Sequence, residues 1–466
     1  MAMGKRNQQT QPTFWLATDE MAKSPGHPFY SRLNALLDEH GFDEFVENLC
    51  REFYHDSLGR PGLPPAVYFR MLLIGYFEGI DSERGIDWRC SDSLALREFL
   101  GYSLTESTPD HSTLCVTRQR MDLETHLAVF TWVLGMLSDS GLLSARQLGV
   151  DATTLEANAA MRSIVRNDTG ESYQEFLVGL AQASGIETPT REDLAKVDRS
   201  RKNKASNKDW HNPHDPDAKI TKMKDGRTHL AHKAEHAVDQ DTGAIVAVTL
   251  QDADEGDTTT LFRTLDAAEE NLNRVAKDRE NIERDKMMRE VVADKGYHSN
   301  EVLPKLEKRK MRSYISEPDR GRRVWTDKKT GEVKSAERDT VYANRRRVRG
   351  KRGKKLLRKR GELLERPCAH CYETGGMRRT HLREGENILK RLLVHVAGFN
   401  LSLVMRKQFG IGKPRVLQDG LGGLLWAFLH VWGVWKRPLA RPYALGATAI
   451  RVIGKIPIQT ALPTAA

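Results

Sequence analysis

The sequence predicts an α/β protein, an all-helical N-terminal region leading into a mixed sheet flanked by helices. Two patterns point there. Apolar residues recur at helical spacing through residues 29–140, and from residue 148 onward short apolar or alternating runs are interleaved with helical stripes. A chain of 466 residues also exceeds what one hydrophobic core usually supports. The expected organisation is a flexible N-terminus (1–28), a helical domain (29–140), a sheet-containing domain (141–410) and an apolar C-terminal extension (411–466).

In the helical region, Val67, Met71 and Ile74 keep helical spacing, Pro64 and Pro65 suit a helix entry, and Gly79 suits its stop. Further on, "REFLGYSLTESTPDHSTLCVTRQRM" reads as helix, Gly-containing turn, helix, with Arg118 and Arg120 in the second helix. An ordinary bundle and a groove-binding helix-turn-helix fit that pattern equally. The first strand runs through Leu148 and Val150 and is expected to end at Asp151. Residues 162–220 are polar and turn-rich and read as an insertion or mobile loop. "HLAHKAEHAVDQDTGAIVAVTL" predicts a hairpin turning at Asp241–Gly243. A helix from Thr258 to about Arg284 follows, then a strand at Val291–Ala293, a helix near 300–310 and a strand at "RSYISEP". A basic segment (318–361) and a helix carrying Leu389, Leu392, Val396, Phe399 and Leu403 complete the order. Strand ends in such sheets gather ligands at one edge.

Charge is concentrated in one place. The formal net charge is +10, and "RRRVRGKRGKKLLRKR" (345–360) supplies +11 of it with no acid, leaving −1 for the remainder. Such a run repels itself unless a polyanion neutralises it, and phosphate backbones do so with release of counterions. Five cysteines, and no apolar leader at "MAMGKRNQQTQPT", argue for a reducing cytoplasm. The apolar stretch 421–435 is shorter than a membrane span and contains His430, so no membrane is expected.

Asp151 and Asp294 both follow short apolar runs in the predicted sheet. On neighbouring strands, two such carboxylates come within reach of one cation, and hard oxygen ligands select Mg²⁺ or Mn²⁺. A pair of ions suits in-line phosphoryl displacement. A third carboxylate is expected from a helix crossing the same edge.

Four segments, "GVDATTLEANAA", "VVADKGYHS", "VYANRRRVRGKRGKKLLRKRGELLERPCAHCYETGGMRR" and "ENILKRLLVHVAGFNL", together resemble the DDE transposases of bacterial insertion sequences, over roughly residues 28–410. The resemblance implies a ribonuclease H-like catalytic domain behind a helical DNA-binding or dimerisation domain. It implies Asp151, Asp294 and Glu365 as the catalytic, metal-holding residues, with two Mg²⁺ or Mn²⁺ ions. It further implies double-stranded DNA as partner, both terminal inverted repeats and target, a homodimer in the DNA complex, and a nucleoid-associated location in a bacterial cytoplasm. DNA contacts are expected from Arg345, Arg346, Arg347, Arg349, Lys351, Arg352, Lys354, Lys355, Arg358, Arg378 and Arg379. The chain departs from the family pattern near the Glu. Gly361 and Tyr372 fall where basic residues are usual, so Arg360, Arg378 and Arg379 are the substitutes, and Glu362 is a reserve ligand. Pro367, two residues past Glu365, fits only a first helical turn or a kink. The alternatives are a nuclease of the same fold without strand transfer, or a catalytically inactive DNA-binding relative.

Other signals are weaker. Cys368 and Cys371 lack the second pair that a structural zinc site needs. His232 and His236 share a strand face, expected to be exposed, with Lys233 and Glu235 on the other. Asp257 reads as the cap of the helix at Thr258, with assistance to the metals as the alternative. Trp325, between charged neighbours, is the candidate DNA wedge.

Overall fold

The computed structural model describes residues 27–417 except 56–61, 202–204, 224, 278, 280–286, 320, 322 and 327–333. The expected N-terminal segment to residue 26 and the apolar stretch 421–435 lie outside the described residues. Residues up to Pro414 form one compact unit and Arg415–Ala466 a second; everything below belongs to the first.

Residues 28–139 fold into α1 (Pro28–Glu39), α2 (Phe42–Cys50), α3 (Pro65–Glu78), α4 (Glu83–Asp92), α5 (Leu94–Phe99), α6 (His111–Arg120) and α7 (Leu123–Asp139). Local chemistry sets the ends. Ser82, Ser93, Asp110 and Asp122 each accept a backbone N–H of the first turn that follows, and Gly79 closes α3 in the left-handed conformation. The ordinary bundle is the outcome for α5 and α6, since residues 100–110 separate them and Arg118 is buried on Glu83. Arg120 stacks over Tyr54.

The sheet begins with β1 (Gln147–Glu156), which runs through Asp151 instead of ending there. β2 (Val165–Arg166), α8 (Tyr173–Ala183), α9 (Arg191–Ser200), β3 (Trp210–His211) and β4 (Lys219–Lys222) follow. The polar stretch is therefore a folded insertion and not a mobile loop. Trp210, Ile164, Ala218 and Ile220 bury a small core of their own, and boxes at Ser172 and Thr190 cap its two helices. The hairpin forms as β5 (Thr228–Asp239) and β6 (Ile245–Asp252), with Gly243 at positive φ in its turn. Next come α10 (Asp257–Lys277), β7 (Glu290–Ala293), α11 (Val302–Lys308) and β8 (Arg312–Ile315). α12 (Ser335–Arg349), α13 (Lys351–Leu363), α14 (Glu365–Ala369) and α15 (Gly385–Phe409) end the unit.

The strand order is β4-β5-β1-β7-β8, with β6 also on β5; β1 pairs antiparallel with β5 and parallel with β7. One face buries Leu148, Val150, Val291 and Ala293 against Leu261, Leu265, Leu303 and Leu306 of α10 and α11, each full burial worth about 1.5–3 kcal/mol. The other meets α13 through Val292, Tyr314 and Leu356. α15 is buried almost all round and touches α3, α7 and β6, so the helical region and the sheet share it. It is long and apolar enough to cross a membrane, and most of it is buried inside the unit.

Each outer strand is closed by an asparagine. Asn400 of α15 accepts from Ile245 N and donates to Ile245 O, and Asn344 of α12 does the same for Ile315. An amide matches a backbone N–H and C=O at once, which satisfies an edge that would otherwise invite another strand. Asn344→Leu and Asn400→Leu should each cost about 1–3 kcal/mol per stranded group, read from chemical unfolding; variants as stable as the parent would refute that role.

Candidate active site

The last paired positions of β1 and β7 are Val150 and Ala293, so the next residue on each is Asp151 and Asp294. Parallel neighbours lie about 4.8 Å apart. By strand alternation both carboxylates belong to the α13 side of the sheet, and both residues are half-buried. Asp294 also accepts Gly296 N at 2.7 Å, capping the turn Lys295–Tyr297, so its role in the turn and its place at the edge coexist.

Glu365 arrives by a different route. α13 breaks at Leu364 and α14 starts at Glu365, which puts Pro367 in a first turn where its missing N–H is tolerated. Leu364 seats against Gly149, where an added Cβ would meet its Cδ1 at 2.7 Å, so glycine there permits the approach. A π-turn (His370–Thr374) continues the path, Tyr372 Oη meets His236 Nε2 at 2.7 Å, and Arg378 Nη1 donates to Thr153 Oγ1 at 3.1 Å. Gly149, Asp151 and Thr153 share a strand face, so residues 364–378 cover the face that carries Asp151. Glu365 itself is exposed. Among the described residues no three His, Cys, Asp or Glu side chains stand close enough to hold a metal ion together. The fold thus sets Asp151 beside Asp294 where the parallel pairing of β1 with β7 ends.

Tyr372, at one of the positions where the family has a basic residue, is buried, and Arg378 lies over its ring at 5.9 Å while also pairing with Glu373. Arg379 joins the end of β1 through a backbone bridge with Glu156. The expected exposed histidine face is buried: His232 meets Asp215 at 3.1 Å, and burial pushes the His236 imidazole down to about 3. The donor set at the edge is therefore carboxylate oxygen, with His236 spent on Tyr372, and this chemistry fits a hard divalent cation.

The opposite layer carries a polar network that sequence reasoning resolves only in part. Glu235 accepts from Tyr297 Oη (2.8 Å), Thr260 Oγ1 (2.8 Å) and Thr264 Oγ1 (2.5 Å). Lys233 Nζ donates to Asp257 Oδ1 at 2.6 Å. Burial first, then the charges of Glu235, Asp257 and Asp151, holds the Tyr297 hydroxyl well above its usual range, so all three carboxylates act on one hydroxyl. The alternation of β5 and the run "GDTTT" are the available signals.

The basic run divides into two groups. Arg345 pairs with Glu317, Arg352 binds buried Glu290 through two bonds, Lys359 pairs with Asp241, and Arg347 donates to Ser313. The expectation that only a polyanion neutralises the run is thus corrected, because carboxylates of the sheet do part of it. Arg346, Arg349, Lys351, Lys354, Lys355 and Arg358 are carried on α12 and α13 without being drawn into the core. Trp325 is no wedge: half-buried, it packs on the main core and tilts against Tyr342.

A helical region feeds a mixed α/β sheet in which the parallel pairing of β1 with β7 ends at Asp151 and Asp294. Residues 18–120 match the family described as a transposase domain, and residues 201–400 match the transposase DDE domain. No curated protein matches the chain, and no solved structure does. The chain belongs to the DDE transposases of insertion sequences. The DDE match begins after β1, so Asp151 is placed by sheet register.

Three histidines are buried neutral: His236 and His395 are pushed down to about 3 and His126 to about 4, chiefly by burial. The unfolded chain protonates them near 6.5 and the folded chain does not, so the stability they contribute is whole above about pH 6.5 and is lost as pH falls. Unfolding free energy should drop between pH 7 and 5, with a limiting slope of about 1.4 kcal/mol per pH unit per proton. His236→Gln should flatten it; a flat profile in the parent protein would contradict the assignment.

Proposed function

We propose that this transposase binds the terminal inverted repeats of its own insertion sequence as a dimer, frees a 3′-hydroxyl at each end, and joins that hydroxyl to target DNA. The observation that carries the reading is the parallel register that sets Asp151 beside Asp294. Asp151, Asp294 and Glu365 are the proposed metal-holding residues; Glu365 enters by its motif and by its segment, which covers the face of Asp151. Two Mg²⁺ or Mn²⁺ ions bound there would activate the attacking oxygen and stabilise the leaving one. The chain's own work is positioning and charge compensation, since no covalent protein intermediate is needed.

Arg378, bonded to Thr153 two residues from Asp151, would hold a phosphate next to the reacting one. The outward cations of α12 and α13 supply the longer phosphate track, and Arg379, at the end of β1, adds a further phosphate contact. Arg345, Arg347 and Arg352 serve it by holding these helices on the sheet.

With oligonucleotides carrying the element's ends, Asp151→Asn and Asp294→Asn should lower cleavage at least ~10²-fold while leaving DNA affinity within about twofold. Unchanged cleavage in the variants would remove the two aspartates from catalysis, DNA binding without any cleavage by the parent would identify a non-catalytic DNA-binding protein, and cleavage without joining of pre-nicked ends a nuclease. Replacing Lys354, Lys355 and Arg358 together by Gln should reduce the salt slope of DNA binding by roughly 0.9 for each phosphate that is no longer neutralised; an unaltered slope would remove α13 from the DNA track.

A further inference from the structure

Past Asp151, β1 runs on to Glu156, roughly 17 Å further at about 3.3 Å per residue. Two cavities follow that path. The nearer, about 340 Å³, is bordered by Thr153 and Arg378, and the farther, about 520 Å³, by Arg379 and Arg383. Both share Glu156 and His229, so they adjoin. The walls of the farther cavity come from separate parts of the chain: Met161 and His214 belong to the folded insertion, Asn158 follows β1, and Leu230 lies on β5.

These walls are fastened. Glu156 N donates to Arg378 O at 3.1 Å and Thr380 N donates to Glu156 O at 2.9 Å, which sets Arg379 alongside the end of β1. On the side of the insertion, buried Asp215 accepts from Glu384 N at 3.3 Å and meets His232 Nε2 at 3.1 Å, while Asp217 accepts from Gly385 N at 2.8 Å. Glu384, directly after Arg383, is held at φ +67°, where a side chain is rarely found. Such strain persists only where the surroundings impose it, and it gathers at functional sites.

The lining selects a class of ligand. Two guanidiniums against the carboxylate of Glu156 leave a surplus of positive charge at the rim, which suits a phosphodiester. Met161 and Leu230 offer apolar contact, and Asn158 and His214 offer hydrogen-bonding edges, as a nucleobase requires. The volume lies in the range that encloses a small ligand. A duplex does not enter it, since the major groove alone is about 12 Å wide.

We propose that the folded insertion and the Arg379–Arg383 segment together form a site for one nucleotide of an unpaired DNA strand. This rests on the reading of the chain as a transposase acting on DNA. A strand whose phosphate is held by Arg378 beside the reacting one continues along β1 into the farther cavity, where Arg379 and Arg383 take its backbone and the insertion covers its base. The insertion thereby keeps that strand apart from its complement.

The test is fluorescence anisotropy of the full-length protein with a short duplex carrying a single-stranded oligothymidine tail and with the same duplex blunt-ended. Thermal unfolding serves as the check on folding. The tailed duplex should bind about fivefold tighter or more. Met161→Trp, which fills the cavity, and Arg383→Gln should each remove most of that advantage while leaving affinity for the blunt duplex within about twofold. Equal binding of the two duplexes by the parent overturns the inference, and binding of thymidine monophosphate in that case marks a free-nucleotide site instead. An advantage that both variants retain also overturns it, with DNA binding left standing. Failure of the parent to bind either duplex refutes the DNA reading beneath it. Should Met161→Trp fail to fold, Arg383→Gln decides by the same ratio.

Discussion

The parallel pairing of β1 with β7 is the constraint on which the remaining structure depends. Its register is set by apolar burial: Leu148 and Val150 on one strand, and Val291 and Ala293 on the other, sink into the core under α10 and α11. A slip of one residue would turn that set toward the other layer and break the partnership of the two aspartates. The same alternation puts Gly149 under Leu364 and His236 opposite Asp151. One register thus determines both the core and the chemistry at its edge.

Around that pairing, charge is distributed by what each side chain can reach. Glu290 is buried in β7 and takes Arg352; Glu317 takes Arg345, and Asp241 takes Lys359. These bonds fasten a strongly basic helix pair to the sheet, leaving the outward cations of the same helices to the solvent side. A buried carboxylate without such a partner is costly, which is why Arg352 is drawn onto Glu290 from the surface. The edge itself sets Asp151 beside Asp294 where the two strands cease to pair.

Much of this is legible in the sequence. Asp294 after Val291–Ala293, the hairpin at Gly243, the helix entry at Pro65 and the helix carrying Leu392 and Val396 follow from local patterns of period 2 or 3.6 and from turn chemistry. Pro367 restricts Glu365 to a helix start, and α14 does start there. The folded insertion escapes a sequence reading because its few apolar residues, Trp210, Ile164 and Ile220, are far apart along the chain and become a core only when β3 and β4 bring them together. The true end of β1 escapes it because the polar residues after Asp151 gain strand partners from β5. The burial of His236 escapes it because alternation gives a shared face but does not say what covers it; the covering group, Tyr372, is 136 residues away.

The sequence by itself determined the α/β class, the order of elements, the acidic positions and the concentration of positive charge, because each is encoded over a few neighbouring residues. Tertiary structure decided which of these meet. Asp151 lies beside Asp294, Lys233 meets Asp257, residues 364–378 cover the face that carries Asp151, and the basic run splits into fastened and outward-facing members. Those outcomes depend on strand register and on long-range pairing, whose partners are chosen by burial and charge across the whole unit and not by neighbours along the chain.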